Sequence, residues 1–528
     1  MYGVKMNFKD FFKKNKISIL FFPLIVIAVY LPVVFNKSYC ADLEYVQGAK
    51  GAIYNWNELG RYTLILLKRI SFTPYNFILE GILFILIAFL TVNALSFFLH
   101  LINENVETFL LYIISTIALI FPTFAEQYYF KFQSAEVLFG IFLLSLSGIF
   151  LMQFIKDKKI LPFFISILIN VISFGIYQSM FNILLVMYIG IFTVLSVNSK
   201  KGDRLPLKTF LTVVIQFVLA FIANKILTSV FCKEGSYFSD KIMWKSYSFS
   251  DCFHFVKHYV RITLFAESPM YTYAFIASAS LAFAALIILF IKDKRNGVNS
   301  LIGYTGLLIS PFSIAIIQGF EPDSRTQLAL PFSIAYLCFF TVSVLKKYVL
   351  CKLSGEGKAD KKIRKNSPPA YISLFLLIFV LCLNIYPTYR LVYTRMQINK
   401  SDSKNIAKIA GDLKNFNCTE GKSDATEVIF VGTLPYDDLP LCIKYDRENK
   451  DYILIPVFSL DADTEPQYFF STNRILAAMD NAGYNFKKPV LSSNMNEAKP
   501  EASNMPSYPN AGYIKEFKNF VVVNLGNY

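Results

Sequence analysis

Asp42 and Glu44 are two carboxylates separated only by Leu43, and further along the chain Arg61 closes the segment Trp56-Asn57-Glu58-Leu59-Gly60-Arg61. A carboxylate can take the proton from an attacking hydroxyl, and a cation can stabilise a departing oxyanion, so these residue types suit group transfer from a phosphate-linked donor. Three more polar segments interrupt otherwise apolar sequence: Glu126-Gln127-Tyr128-Tyr129-Phe130-Lys131-Phe132-Gln133, Tyr177-Gln178, and Glu321-Pro322-Asp323-Ser324-Arg325. A lipid-phosphate-linked sugar would need cations for its phosphate, for which Arg61, Lys131 and Arg325 are candidates, arginine being favoured by its bidentate fork. Trp56, Glu126, Gln133, Tyr177 and Gln178 are the candidates for the sugar's hydroxyls and faces, and Asp42 and Glu44 for the general base. Plainer roles compete with each of these. Asp42 and Glu44 also suit a solvated loop, Arg61 and Trp56 an interfacial anchor or aromatic belt, and Tyr177-Gln178 a hairpin whose backbone they satisfy.

The elements that must position these residues are membrane helices. The chain has 528 residues, 55% of them hydrophobic and only 17% charged, with apolar stretches of membrane-spanning length recurring along it. About eleven spans are expected, over 17–36, 77–99, 107–122, 134–155, 160–175, 178–197, 207–231, 270–291, 299–318, 327–345 and 370–388. The first is too long for a cleaved signal peptide and has no small-residue cleavage site, so residues 1–16 are expected to stay attached.

Lysine and arginine set the orientation. Lys13-Lys14, Lys156 to Lys159, Lys200 to Arg204, Lys292 to Arg295, and Lys346-Lys347 through Lys365 fall on one alternating set of connections, which the positive-inside rule makes cytoplasmic. The N-terminus is then cytoplasmic, and the polar segments, the loop 232–269 and everything after 388 face outward. The formal net charge of +15 is largely accounted for by these turns, and no basic-aromatic nucleic-acid motif accompanies it, so nucleic acid is not an expected partner. Disulfides Cys232–Cys252 and Cys418–Cys442 are possible in an oxidising exterior. His254 and His258 share a helical spacing but have no third ligand nearby, so no metal site or cofactor is expected, although a divalent cation is left open. Lys225 and Glu80, near span ends, are read as snorkelling side chains.

The sequence divides into a transmembrane domain, 1–388, and a C-terminal domain, 389–528, where the long apolar runs stop. A helix is expected over Asn405–Leu413, and strands over Glu427–Gly432, Tyr452–Val457 and Phe517–Leu525, giving a small extracytoplasmic α/β domain. Gly432 alone does not make a phosphate loop.

The acidic pair before Gly60-Arg61, the segment Phe121-Pro122-Thr123-Phe124-Ala125-Glu126 running to Phe132-Gln133-Ser134, and Tyr177-Gln178-Ser179 before Asn182 resemble, in the same order, the bacterial glucosyltransferase-domain membrane proteins of the O-antigen-modifying type. The resemblance covers roughly the first two hundred residues and the Arg325 region. It implies a metal-independent, inverting GT-C-class enzyme of the bacterial cytoplasmic membrane. Such an enzyme takes a hexose, typically glucose, from undecaprenyl phosphate and places it on a cell-surface polysaccharide. A donor-synthesising glycosyltransferase and a flippase would act in the same pathway. Asp42 and Glu44 correspond to the family's acidic pair and Gly60-Arg61 to its Gly-Arg. Here, however, Leu43 separates the two acids, and Gln47 or Lys50 stands where the family places an arginine. The main rival is a lipid-linked oligosaccharide or polysaccharide transporter or polymerase, which would carry ionisable residues deep in its helices, whereas these lie mostly at helix ends. A structural partner of another glycosyltransferase is a third reading.

Overall fold

The computed structural model describes residues 8–35, 56–70, 77–199, 205–233, 241–350, 368–421, 425–436, 439, 441–443, 452–459, 465–489 and 492–526. Asp42 and Glu44 lie outside the described residues, as do Gln47 and Lys50. Contacts divide the chain into two compact units. The first is Met1–Val34, Tyr54–Tyr128 and Phe132–Tyr389; the second is Phe35–Ile53, Tyr129–Lys131 and Arg390–Tyr528.

The first unit is helical. Among the described residues nine helices are long and apolar enough to cross a membrane, and each corresponds to one expected span. The expected span 107–122 is instead a bent pair, Thr108–Leu119 and Pro122–Tyr129, with 57° between the two helices. The expected span 160–175 is the helix Ile160–Phe174, whose rise of about 22 Å falls short of a hydrocarbon layer of about 30 Å. Burial orders the bundle. In Ala329–Tyr348 and Met180–Asn198, 89% and 83% of the apolar window is enclosed by protein, so these helices form its centre. In Leu207–Phe231 only 22% is enclosed, and Leu207, Leu211, Ile215 and Phe231 stand exposed, as they would toward lipid.

The bend has a local cause. Proline has no N–H to continue a helix, and its ring disfavours helical backbone at the residue before it, so Pro122 ends the first helix and starts the second. The backbone groups released at the break are met by one side chain. The Tyr30 hydroxyl lies 3.1 Å from the carbonyl oxygens of both Leu119 and Phe121, and it accepts the Phe121 N–H at 2.9 Å. Irregular backbone can lie inside an apolar bundle only when it is satisfied in this way.

The second unit contains the C-terminal sheet, in the order β1 (Glu427–Gly432), β3 (Phe520–Gly526), β2 (Ile514–Glu516). β1 runs parallel to β3 and β2 antiparallel to it. A parallel pair needs a crossover, and the helices Glu465–Asn481 and Ser492–Ser503, which lie between β1 and β2 in the chain, pack against β1. Gly432 is required by close approach, because a Cβ there would lie 2.0 Å from the Gly526 carbonyl oxygen and φ is +84°. Asn405–Leu413 is the end of the helix Pro368–Leu413, within which the boundary between the two units falls.

Three expectations are corrected. Tyr452–Val457 is not a strand but two short 3-10 turns, Tyr452–Leu454 and Val457–Ser459, on either side of Pro456. Its backbone serves a buried ion pair instead of a sheet. The Ile455 carbonyl accepts Arg395 Nη1 at 2.9 Å, and the Val457 N–H donates to Asp402 Oδ1 at 3.2 Å. The strand expected over Phe517–Leu525 begins only at Phe520, because Phe517 belongs to the turn back to β2, its N–H donating to the Phe520 carbonyl at 2.8 Å. The two disulfides are absent: Cys232, Cys252, Cys418 and Cys442 are all free thiols. Cys418 is buried with its Sγ 3.4 Å from the Leu413 carbonyl oxygen, while Cys442 is exposed. Cys442 in the unreduced native protein is therefore expected to react with a maleimide, and Cys418 only after unfolding. Labelling of the pair that requires a reductant would contradict this arrangement.

Candidate active site

Arg61 is the first residue after the turn Trp56–Gly60, and the chain becomes helical at Tyr62. Gly60 makes the turn possible: its φ is +69°, and a Cβ there would press on the Thr228 methyl at 3.0 Å. Trp56 is buried, and its carbonyl accepts the Arg61 N–H at 2.9 Å. The Asn57 side chain accepts the Lys233 N–H at 2.9 Å. The helix Tyr62–Ile70 is capped from another part of the bundle, since the Gly175 carbonyl accepts from the Thr63 and Leu64 N–H groups at 3.0 and 3.2 Å. That approach needs glycine, because a Cβ on Gly175 would lie 2.4 Å from Thr63 Oγ1.

These contacts bring Arg61 to residues far away in the chain. Its Nη1 donates to Gln133 Oε1 at 2.8 Å and its Nε to Gln178 Oε1 at 3.3 Å. Its guanidinium also lies over the Tyr177 ring, 4.7 Å from the centroid. Gln178 in turn donates to the Leu59 carbonyl, so the turn and the arginine are held by the same side chain. Gln133 and Tyr177 are buried, as Trp56 is. Thus Trp56, Arg61, Gln133, Tyr177 and Gln178 form one cluster at the ends of the helices that begin at Tyr62, Ser134 and Met180.

A second group adjoins it. Ser324 donates to Glu126 Oε2, and Asp323 pairs with Lys241 at 3.0 Å and with Arg325 at 3.9 Å. Tyr177 joins the two groups electrostatically. Burial raises its phenol pKa above the ordinary value; Arg325 and Arg61 act to lower it, and Asp323 and Glu126 to raise it. Lys131, in the 3-10 turn Lys131–Gln133, is also buried, but it groups with the second unit.

The first unit also places together charges that the sequence reading separated. Glu80 does not snorkel. Lys68 forms ion pairs with both Glu80 and Glu136, the latter at 2.6 Å, and all three side chains are about nine-tenths buried. The signal was present: Glu80 and Glu136 each lie in the first turn of an apolar helix, at helix ends of the same set as Gln133. Lys225 is exposed. Gln127, beside Glu126, is fully buried, with neither its amide oxygen nor its nitrogen hydrogen-bonded. His254 and His258 are exposed on the helix Phe249–Leu264, and among the described residues no three His, Cys, Asp or Glu side chains are grouped to hold a metal ion.

Fold and site together define a multi-pass helical membrane protein with a polar centre assembled at helix ends around one arginine. The family described as Glucosyl transferase GtrII matches residues 31–342, more than half of the chain, and the chain belongs to that family. The matched segment contains both groups of polar residues and the Lys68 cluster. No curated protein matches the chain.

The Lys68 cluster makes a prediction about stability. Lys68→Met would leave two carboxylates buried without their cation, and loss of one partner from a buried ion pair costs about 3–5 kcal/mol. The variant is expected to unfold at clearly lower temperature than wild type, with Lys68→Arg closer to wild type. Equal melting of Lys68→Met and wild type in the same detergent would contradict this placement.

Proposed function

We propose that the protein is an inverting, GT-C-class membrane glycosyltransferase acting on the outer face of the bacterial cytoplasmic membrane. It moves a hexose, typically glucose, from a polyprenyl-phosphate donor to a cell-surface polysaccharide. The observation that carries the reading is Arg61, fixed by two side-chain amides and an aromatic face within the segment that matches the GtrII family. An arginine whose plane is set before substrate arrives can meet a phosphate without reorganising, and this is where preorganised charge contributes most to a transition state.

In this mechanism Asp42 or Glu44 accepts the proton of the attacking acceptor hydroxyl as its oxygen bonds to the sugar's anomeric carbon. The bond from that carbon to the phosphate oxygen breaks, and its electron pair leaves with the polyprenyl phosphate. Arg61, with Arg325 and Lys131, stabilises the negative charge that accumulates on the leaving phosphate. Trp56, Glu126, Gln133, Tyr177 and Gln178 orient the sugar, and no metal takes part. The donor's synthesis and its transfer across the membrane fall to a separate glycosyltransferase and a flippase.

Purified protein incubated with a panel of polyprenyl-phosphate hexoses and acceptor glycan is expected to release polyprenyl phosphate, and to do so in the presence of a chelator. Release from no donor would overturn the assignment, and loss restored by a divalent ion would overturn its metal independence. Asp42→Asn or Glu44→Gln is expected to abolish transfer in folded protein, and wild-type rates in both would remove the base from this loop. Arg61→Ala is expected to lower kcat/KM by about a hundredfold, on the scale of one lost oxyanion donor, and unchanged kcat/KM would exclude Arg61 from the phosphate site.

A further inference from the structure

Among the described residues the second unit holds two buried arginines, Arg395 and Arg474, and they differ in how they are satisfied. Arg395 is 1% exposed, and each of its nitrogens has an acceptor. Nε donates to Asn399 Oδ1 at 2.8 Å, Nη1 to the Ile455 carbonyl at 2.9 Å and the Ile453 carbonyl at 3.4 Å, and Nη2 to Asp402 Oδ2 at 3.4 Å. Its guanidinium also lies 4.6 Å from the centroid of the Tyr129 ring.

Arg474, on the helix Glu465–Asn481, is 3% exposed, yet among the described residues its Nε and Nη2 have no hydrogen-bond acceptor. Arg474 acts electrostatically on the Asp402 carboxylate. That carboxylate is already engaged, Oδ1 by the Tyr436 hydroxyl at 2.5 Å and the Val457 N–H at 3.2 Å, and Oδ2 by Arg395 and Val457. Asp402, with both oxygens already engaged, therefore meets two guanidinium groups in a buried setting. Leaving a buried charged donor unmatched costs more than an ordinary hydrogen bond gains, so such a group is expected to have a partner.

The geometry identifies what that partner must be. Nε and Nη2 are the two nitrogens on one edge of the guanidinium plane, with parallel N–H bonds, and this edge fits the two oxygens of a carboxylate or phosphate side by side. The rest of the helix is held without Arg474. Thr472 Oγ1 accepts the Phe430 N–H of β1 at 3.2 Å, and Ile475, Leu476, Ala478 and Met479 are buried. We propose that Arg474 is the anchor of an oxyanion-binding site in the C-terminal α/β unit, which takes a phosphate or carboxylate group on the guanidinium edge formed by Nε and Nη2. The site is independent of the transfer reaction proposed above. Its ligand is either a free anion such as inorganic phosphate or an anionic group within a larger molecule.

The test uses the full-length protein in detergent, with thermal unfolding followed against rising inorganic phosphate, glucuronate or the phosphodiester bis(glycerol) phosphate, each compared with chloride at equal ionic strength. Wild type is expected to show a saturable rise in melting temperature with at least one of these probes, and Arg474→Gln to bind that probe about tenfold more weakly or worse, the weakening expected for one lost charged hydrogen-bond pair. Tighter binding of the phosphodiester or glucuronate than of inorganic phosphate supports a site for a group within a larger molecule, and the reverse order supports a site for the free anion. If Arg474→Gln does not fold, Arg474→Lys, which keeps the charge but lacks the fork, is measured in its place and is expected to show the same weakening. No saturable shift in wild type with any probe, or equal affinity in wild type and the folded variant, overturns the proposal.

Discussion

Inside an apolar helical bundle a broken backbone has no water to turn to, and this constraint governs how the polar centre of the first unit is built. Breaking a helix at Pro122 releases backbone groups that water cannot reach, so the break depends on the Tyr30 hydroxyl standing between the Leu119 and Phe121 carbonyls. Once satisfied, the break turns the helix Pro122–Tyr129 by 57° and carries Glu126 to Ser324. A straight helix through this segment would set Glu126 at another height and on another face. The polar centre thus rests on a defect in an apolar helix and on one tyrosine from the helix Lys16–Phe35.

Arg61 depends on a similar sequence of contacts. The turn that presents it needs a positive φ at Gly60, the helix behind it needs the Gly175 carbonyl, and Gly175 must lack a Cβ to come that close. At the far end of the same helix Lys68 is drawn to Glu80 and Glu136. The short helix Tyr62–Ile70 is therefore fixed at both ends by polar contacts. Its length alone would not hold it, since so few residues make a marginal helix without tertiary support. Position is what these contacts contribute, because a buried pair is weak evidence for added stability while removal of one member is severe.

Much of this was legible in the sequence, and the reasons differ from element to element. The apolar spans were legible because lipid demands about twenty consecutive apolar residues and leaves little alternative. Arg61, Gln133, Tyr177 and Gln178 could be singled out because amides, aromatics and an arginine at helix ends are unusual there, and the structure brings these four together. Their mutual distances could not be read, since they depend on Gly175 meeting Thr63 and on the bend at Pro122. Glu80 was misread for the same reason: a lone carboxylate near a span end looks like a snorkelling side chain until Lys68 and Glu136 are seen against it. In the tail, Glu427–Gly432 was legible as a buried strand, whereas Tyr452–Val457 has the same apolar character but gives its backbone to Arg395 and Asp402. Periodicity reports which residues are buried, not which partner their carbonyls will meet.

Lys68 and Arg61 also show why arginine and lysine are placed differently. Lys68 meets two carboxylates from two different helices, and a compact ammonium with rotatable donors suits partners that approach from separate directions. Arg61 meets two amide oxygens and an aromatic face, contacts that fix a plane as well as a position. An ammonium at Arg61 would keep the charge but lose both the stacking and the fixed plane. A guanidinium at Lys68 would have to fit a planar fork between carboxylates carried by two different helices. The contacts at Lys68 hold a charge in place, whereas those at Arg61 also orient one, and an oriented cation is what the proposed phosphate role would need, since it can meet a developing oxyanion without first rearranging.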